Sequence, residues 1–327
     1  MGGRLDVSSY LDIVNYMCPP PAPGAIVKRR LVMNIAQALK ERSRPFYSLE
    51  FFPPKDSAEW PAFFGIVEQL TALDPLFVSV TCGAGGSTQS YTLDIASRLK
   101  RDYGLEPMPH LTCVGATADS LRAALDGFEQ AGISNVMALR GDKPRDAGPD
   151  WNEGDFRHAD ALVRFIREDW RKGRAGFGVG VAAYPAPHPE SPSFRSDRER
   201  LAGKIRAGAD LAVTQLFFDS REYFALAEAV RAAGLDLPII PGVLPIQSLA
   251  SIRRTLSMCG ANIPGALYLQ LEEAHAKGGT EAVKEAGLAF AVDQIRRLLD
   301  GGAPGVHLYT LNRAELCLRI ADEVGRL

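Results

Sequence analysis

The sequence is short of most features that would announce a metal, a compartment or a macromolecular partner. Its 327 residues hold five cysteines (Cys18, Cys82, Cys113, Cys259, Cys317), an odd number with no CxxC pair. None joins a Cys/His cluster at metal-ligand spacing, so these read as reduced thiols and no metal site is expected. No apolar run approaches the ~20 residues of a membrane span. The opening Met1-Gly-Gly-Arg-Leu-Asp6 lacks the apolar core of a signal peptide, and Asp6 stands where a myristoylation signal needs Ser or Thr. Single-sign charge blocks are also missing. A formal charge of -2, evenly spread, gives no electrostatic reason to expect nucleic acid or an anionic membrane as a partner. These absences together predict a cytoplasmic globular protein.

No Gly-rich dinucleotide fingerprint, Walker loop or Gly-x-Ser-x-Gly elbow occurs either. If a flavin or nicotinamide binds, some other part of the fold must hold it.

What is present is a core and a period. Hydrophobic residues make up 46% of the chain. From residue 46 onward a short β-branched or aromatic run, a turn and a helical stretch recur at intervals of roughly 30 residues, the length of a βα unit. Eight such runs can be read: Phe46–Phe52, Leu76–Thr81, Pro109–Val114, Asn135–Arg140, Gly178–Tyr184, Leu211–Phe217, Pro238–Leu244 and Val306–Thr310. Eight alternations in one chain favour a closed (β/α)8 TIM barrel over an open sheet, with residues 46–327 as the barrel domain. Ile263–Leu299 exceeds one crossover and predicts two or three extra helices between strands seven and eight. Residues 1–45 form an N-terminal extension with a Pro-rich break at 18–24 and a helical pattern over Leu31–Leu39, expected to be a capping helix or an oligomer contact.

Strand parity gives direction. In the first run Tyr47, Leu49 and Phe51 should face the helices, leaving Ser48 and Glu50 inside. The same rule puts Ser79 and Thr81 inside, then His110 and Thr112. It places Met137 and Leu139 outside with Arg140 and Asp142 on the other parity, and puts Tyr184 inside with Gly180 and Ala182. Glu50 is the anomaly, because carboxylates are seldom buried unless paired or used. Its run ends at Pro53-Pro54, which places it at a strand's C-terminal end, where barrel enzymes carry their chemistry.

Other groups admit two readings. Arg140-Gly-Asp142 suits close approach to a flat ligand, or an Arg–Asp pair capping a turn. Tyr184 and His188 suit a ring stacked on a cofactor, or a barrel-mouth plug and a solvated loop histidine. Asp197, Arg200 and Lys204 share one helix face, as a phosphate grip near the N-terminal end or as a solvated stripe. Gln215 interrupts an apolar strand and needs a partner, either a ligand or a neighbouring strand. Arg313 puts a cation at the rim, suited to a carboxylate-bearing substrate.

Taken in order, Ser48-Leu-Glu-Phe-Phe-Pro-Pro54, Ser79-Val-Thr81, His110-Leu-Thr-Cys113, Ala138-Leu-Arg-Gly-Asp142, Ala183-Tyr-Pro185 with His188-Pro-Glu190, Thr214-Gln-Leu-Phe-Phe218, Pro241-Gly242 with Pro245, and Tyr309-Thr-Leu-Asn-Arg313 resemble the methylenetetrahydrofolate reductase family from about residue 46 to the end. The resemblance implies a FAD-containing barrel that reduces 5,10-methylenetetrahydrofolate with NADH or NADPH by ping-pong hydride transfer, as a homodimer or homotetramer. It makes Glu50 the general acid and Asp142 a catalytic carboxylate. Thr81, Ala84, His110, Arg140, Gly141, Asp142, His158, Ala159, Tyr184, His188, Asp197, Arg200 and Lys204 match flavin-binding positions, and Thr81, Gln215 and Arg313 match substrate positions. Ser251 and Cys82 depart from the Gln and Tyr of some bacterial members. The regulatory domain of animal members, which binds S-adenosylmethionine, is expected to be absent. Rival readings are another FAD barrel oxidoreductase, proline dehydrogenase-like, and a non-catalytic folate- or partner-binding paralogue; a visible spectrum would separate the second.

Overall fold

The computed structural model describes residues 33–82, 89–144, 148, 151–325 and 327. Cys18 and Ala84 lie outside the described residues, as does most of the N-terminal extension.

Nine short parallel strands form one sheet: β1 Tyr47–Phe51, β2 Val78–Val80, β3 Pro107–Thr112, β4 Asn135–Leu139, β5 Gly178–Ala183, β6 Leu211–Thr214, β7 Ile239–Ile240, β8 Gly242–Val243 and β9 Val306–Tyr309. Their order is β7-β6-β5-β4-β3-β2-β1-β9-β8. Only Pro241, which has no N–H to donate, separates β7 from β8, so these are two halves of the expected seventh strand. One half pairs with β6 through Val213↔Ile240 and the other with β9 through Gly242↔His307, which closes the (β/α)8 ring.

The crossover helices are α2 Trp60–Leu70, α3 Gln89–Tyr103, α4 Ala118–Gln130, α5 Ala159–Arg164, α6 Phe194–Arg206, α7 Ser220–Ala232 and α8 Leu249–Cys259, preceded by α1 Ile35–Glu41 and followed by α9 Gly265–Asp300 and α10 Ala314–Val324. The expected insertion is α9, a long helix broken at Gly278 and Gly279, where Gly279 takes φ 63 and ψ -149. That conformation is open to glycine alone and divides the helix into two arms. Helix α5 continues into a π-helical turn, Phe165–Trp170. From that turn Arg167 donates to the carbonyls of Gly208 (2.8 Å) and Phe177 (2.7 Å) and pairs with Asp210, joining the lower ends of β5 and β6. Among the described residues no helix is long and apolar enough to cross a membrane.

Two layers of apolar packing explain the parity. Tyr47, Leu49, Phe51, Val78, Val80, Leu111 and Cys113 join the core between strands and helices, as expected. Phe46, Phe77, Met108, Met137, Leu211, Val213 and Ile240 fill the lower barrel interior. Parity in the fourth strand is therefore opposite to expectation. Met137 is in register with His110 and points inward, Leu139 matches Thr112, and Val136 and Ala138 face the helices. The strand's one polar residue, Asn135, shares the parity of Met137 and Leu139 and marks the inner face, and the small Gly180 beside Met137 makes room for its sulfur.

The bottom of the barrel is stopped by α1. The Ile35 amide donates to Asn135 Oδ1 (2.9 Å), and Asn135 Nδ2 donates to the Met33 carbonyl (2.8 Å) and Glu106 Oε1 (2.9 Å). A fully buried isoleucine then caps the apolar interior.

Candidate active site

Above the apolar plug the interior turns polar, and the change is built by register. Glu50 on β1 lies opposite Ser79 on β2 and Tyr309 on β9, and Ser48 lies opposite His307 one layer lower. Glu50 is 8% exposed. The Ser79 hydroxyl donates to its Oε2 at 3.2 Å. His110 Nε2 stands 3.4 Å from the same oxygen and His307 Nε2 3.7 Å away. His307 is wholly buried; its Nδ1 meets Ser48 Oγ at 2.9 Å and its Nε2 meets Ser79 Oγ at 3.3 Å. Thr310 donates to the Glu50 carbonyl at 2.6 Å.

Burial alone pushes the Glu50 carboxyl up. The two imidazoles reverse it, by hydrogen bonding and by positive charge, and hold the group down at about 2, below its ordinary 4.5. His110 contributes more than His307; His307 was passed over at the sequence level, although the alternation in Val306-His-Leu-Tyr309 pointed that ring inward by the rule already used for β1 to β3. Tyr309 was passed over as well; its hydroxyl donates to the Thr214 carbonyl (2.7 Å), and it lies edge-on to His307.

The described ones among the predicted cofactor residues collect on one side of the mouth, at the ends of β2 to β5, at the start of α5 and along α6. Thr81 donates its amide to the Phe51 carbonyl (3.0 Å) and is half-buried. Gly141 takes φ 82, and a Cβ there would sit 2.8 Å from Thr112 Cβ, so the chain turns tightly against β3. Arg140 pairs with Glu190 (2.6 Å) and not with Asp142, which corrects the expected turn-capping pair; Asp142 is exposed at the rim. His158 precedes the buried Ala159 at the start of α5, and Arg200 Nη1 reaches its ring at 3.1 Å. Tyr184 meets the His188 ring edge-on at 4.9 Å, and burial pushes its phenol up to about 12. Asp197 accepts from the His188 amide at 3.0 Å. Lys204 donates to the Ala182 carbonyl at 2.8 Å, and burial pulls its ammonium down to about 8, against the partial compensation of Asp160 and Asp197.

These residues fit an anionic dinucleotide. Lys204 is a part-buried cation whose hydrogen-bond acceptor is a carbonyl; it lies in the last turn of α6, one turn beyond Arg200, which reaches His158. His110 Nε2 is buried, with the Glu50 carboxylate at 3.4 Å as its charged neighbour.

On the opposite side are the predicted substrate residues. Gln215 is half-buried, and its Oε1 accepts from the Leu216 amide (3.0 Å), so the partner is its own chain neighbour and not an adjacent strand. Arg313 is exposed at the start of α10. Ser251 is occupied in a capping box with Ser248 at the start of α8, and Cys82 is half-buried just past β2.

Comparison with known proteins follows this geometry. The family model for methylenetetrahydrofolate reductase matches residues 34–325. The chain is 36% identical over 279 residues to the Escherichia coli 5,10-methylenetetrahydrofolate reductase, covering 85% of this chain and 90% of that one. It is 35% identical over 291 residues to the Pectobacterium carotovorum reductase, covering 88% and 93%. Against the Arabidopsis thaliana methylenetetrahydrofolate reductase (NADH) 1 it is 36% identical over 306 residues, 90% of this chain but 50% of the plant protein, so the chain spans about half of that relative. Among solved structures, a Clostridium thermocellum protein described as binding two copies of 5-methyl-5,6,7,8-tetrahydrofolic acid superposes with a TM-score of 0.59 at 13% identity, covering 88% of this chain and 97% of that one, a likeness of fold alone. With a family model spanning nearly the whole described barrel and bacterial relatives matched over most of their length, the chain belongs to the methylenetetrahydrofolate reductase family.

Proposed function

We propose that the protein reduces 5,10-methylenetetrahydrofolate to 5-methyltetrahydrofolate, with NADH or NADPH as donor and FAD as the resident carrier, in a ping-pong sequence. The observation that carries this reading is the Glu50, His110 and His307 cluster, a buried acid with two imidazoles at the barrel mouth. The chemistry FAD would supply there is reversible two-electron hydride transfer. Its diphosphate suits Lys204, Arg200 and His158, and its ring suits the flat opening bounded by Gly141, Tyr184 and His110.

The folate step needs a proton. The bond from the methylene carbon to N10 must break, N10 takes up the proton, and a hydride on the resulting N5 iminium carbon completes the methyl group. With the carboxyl held low, the proton is drawn from the Glu50, His110 and His307 cluster as a unit, and Glu50 is the member one layer nearer the mouth than His307. Asp142 supplies negative charge at the rim for the cationic iminium. Arg313 presents a guanidinium to the substrate's carboxylates.

Glu50→Gln keeps the size and removes the carboxylate around which the two imidazoles gather. Methylenetetrahydrofolate reduction should fall by several orders of magnitude, while anaerobic bleaching of the flavin by the nicotinamide donor, followed by stopped flow, proceeds at a similar rate. Loss of both half-reactions would sink the assignment.

A further inference from the structure

His188-Pro-Glu190 ends a motif of which the proposed function uses only Tyr184. In the structure Glu190 reaches both neighbours of the flavin opening. Its carboxylate accepts from Arg140 Nη1 at 2.6 Å, and its backbone amide donates to His188 Nδ1 at 3.1 Å. The second contact makes Nδ1 the acceptor of the neutral ring, so the ring proton sits on Nε2. The first contact leaves Arg140 with Nε on the Gly141 carbonyl (3.2 Å) and Nη1 on Glu190, so the Nη2 edge is the one presented elsewhere. Arg140 cannot adjust through its backbone, because the following Gly141 is fixed at φ 82 against Thr112. We infer that Glu190 is a positioning residue of the flavin site: by clamping Arg140 with its side chain and the His188 ring with its amide, it turns both donors toward the bound cofactor.

This inference rests on the flavin reading above. A plain surface ion pair is the competing account. The Glu190 side chain is 63% exposed, and an exposed pair of that kind contributes little to stability. The two accounts therefore part on affinity and not on folding. Flavin-free wild type, E190A and E190Q are titrated with FAD by fluorescence quenching, and their thermal unfolding is followed without ligand. E190A is expected to weaken FAD binding about tenfold, the loss of one oriented charge-assisted donor. E190Q keeps an acceptor oxygen without the charge and should fall between. Unfolding temperatures of all three should coincide. Equal FAD affinity in wild type and E190A overturns the inference, and so does tighter binding by E190A, which would make Glu190 a competitor for Arg140. If wild type itself takes up no FAD, the flavin reading fails first and this inference with it.

Discussion

At the scale of single residues, the chemistry turns on which force dominates at Glu50. Desolvation favours the neutral acid, whereas His110 and His307 favour the carboxylate, and the imidazoles prevail. The consequence for stability has a definite sign. A carboxyl whose folded value lies below its unfolded value contributes stability that is present above the unfolded value and lost as pH falls toward the folded one. For Glu50 that window runs from its ordinary 4.5 down to about 2. Chemical denaturation across this range should show the wild type losing stability more steeply than Glu50→Gln. Parallel curves would mean that the imidazoles do not stabilise the carboxylate.

At the scale of elements, the π-helical turn after α5 is a joint. It lets Arg167 meet the ends of β5 and β6 at once, with a side chain only 16% exposed. Replacing a group that satisfies two carbonyls and a carboxylate leaves acceptors without a donor, at about 1–3 kcal/mol for each such loss. Arg167→Ala should lower unfolding free energy by roughly 2–4 kcal/mol in urea, with the slope unchanged, since the surface exposed on unfolding is the same. An effect under about 0.5 kcal/mol would show water replacing the joint at no cost. Helix α6 does a different job. Its inner face carries Asp197 and Lys204, and it holds the ammonium where burial depresses it to about 8. As a lysine's folded value falls below its unfolded one, burying the charge costs stability at neutral pH, and that cost is relieved as pH rises from 8 toward 10.5.

At the scale of the whole molecule, the two ends of the barrel separate stability from chemistry, as parallel barrels commonly do. The bottom is closed by Ile35 and the Asn135 amide, and the top carries the histidine cluster and the polar residues that follow β4 and β5. Asn135→Ala should cost about 2–3 kcal/mol of unfolding free energy, because the four hydrogen bonds of its side chain, to Ile35, Met33, Glu106 and Ser134, go with it. Its FAD affinity, measured by the same titration, should stay at the wild-type value. A parallel loss of affinity would show that the plug and the mouth are coupled through the strands.

Much of this was legible in the residues. Eight alternating runs gave the barrel, because a parallel strand must bury its outer face under a helix and a crossover has a characteristic length. Parity placed Glu50, Ser79 and His110 correctly wherever polar residues marked the inner face. Parity was misread in β4, where Met137 and Ala138 are both apolar and the one polar residue marking the inner face, Asn135, stands at the opposite end of the strand from Arg140 and Asp142. The partners of charged groups were also decided by the fold. Arg140 passes over nearby Asp142 for Glu190, fifty residues on, because the turn at Gly141 and the loop after β5 bring that carboxylate to it. His307 reaches Glu50 only because the ring closes through β9, joining residues 257 positions apart in the chain. Sequence by itself determined the period, the inward acid and the family motifs, since these rest on local alternation and residue type. The charge state of that acid was left to tertiary structure, because it depends on distances that only a closed barrel sets.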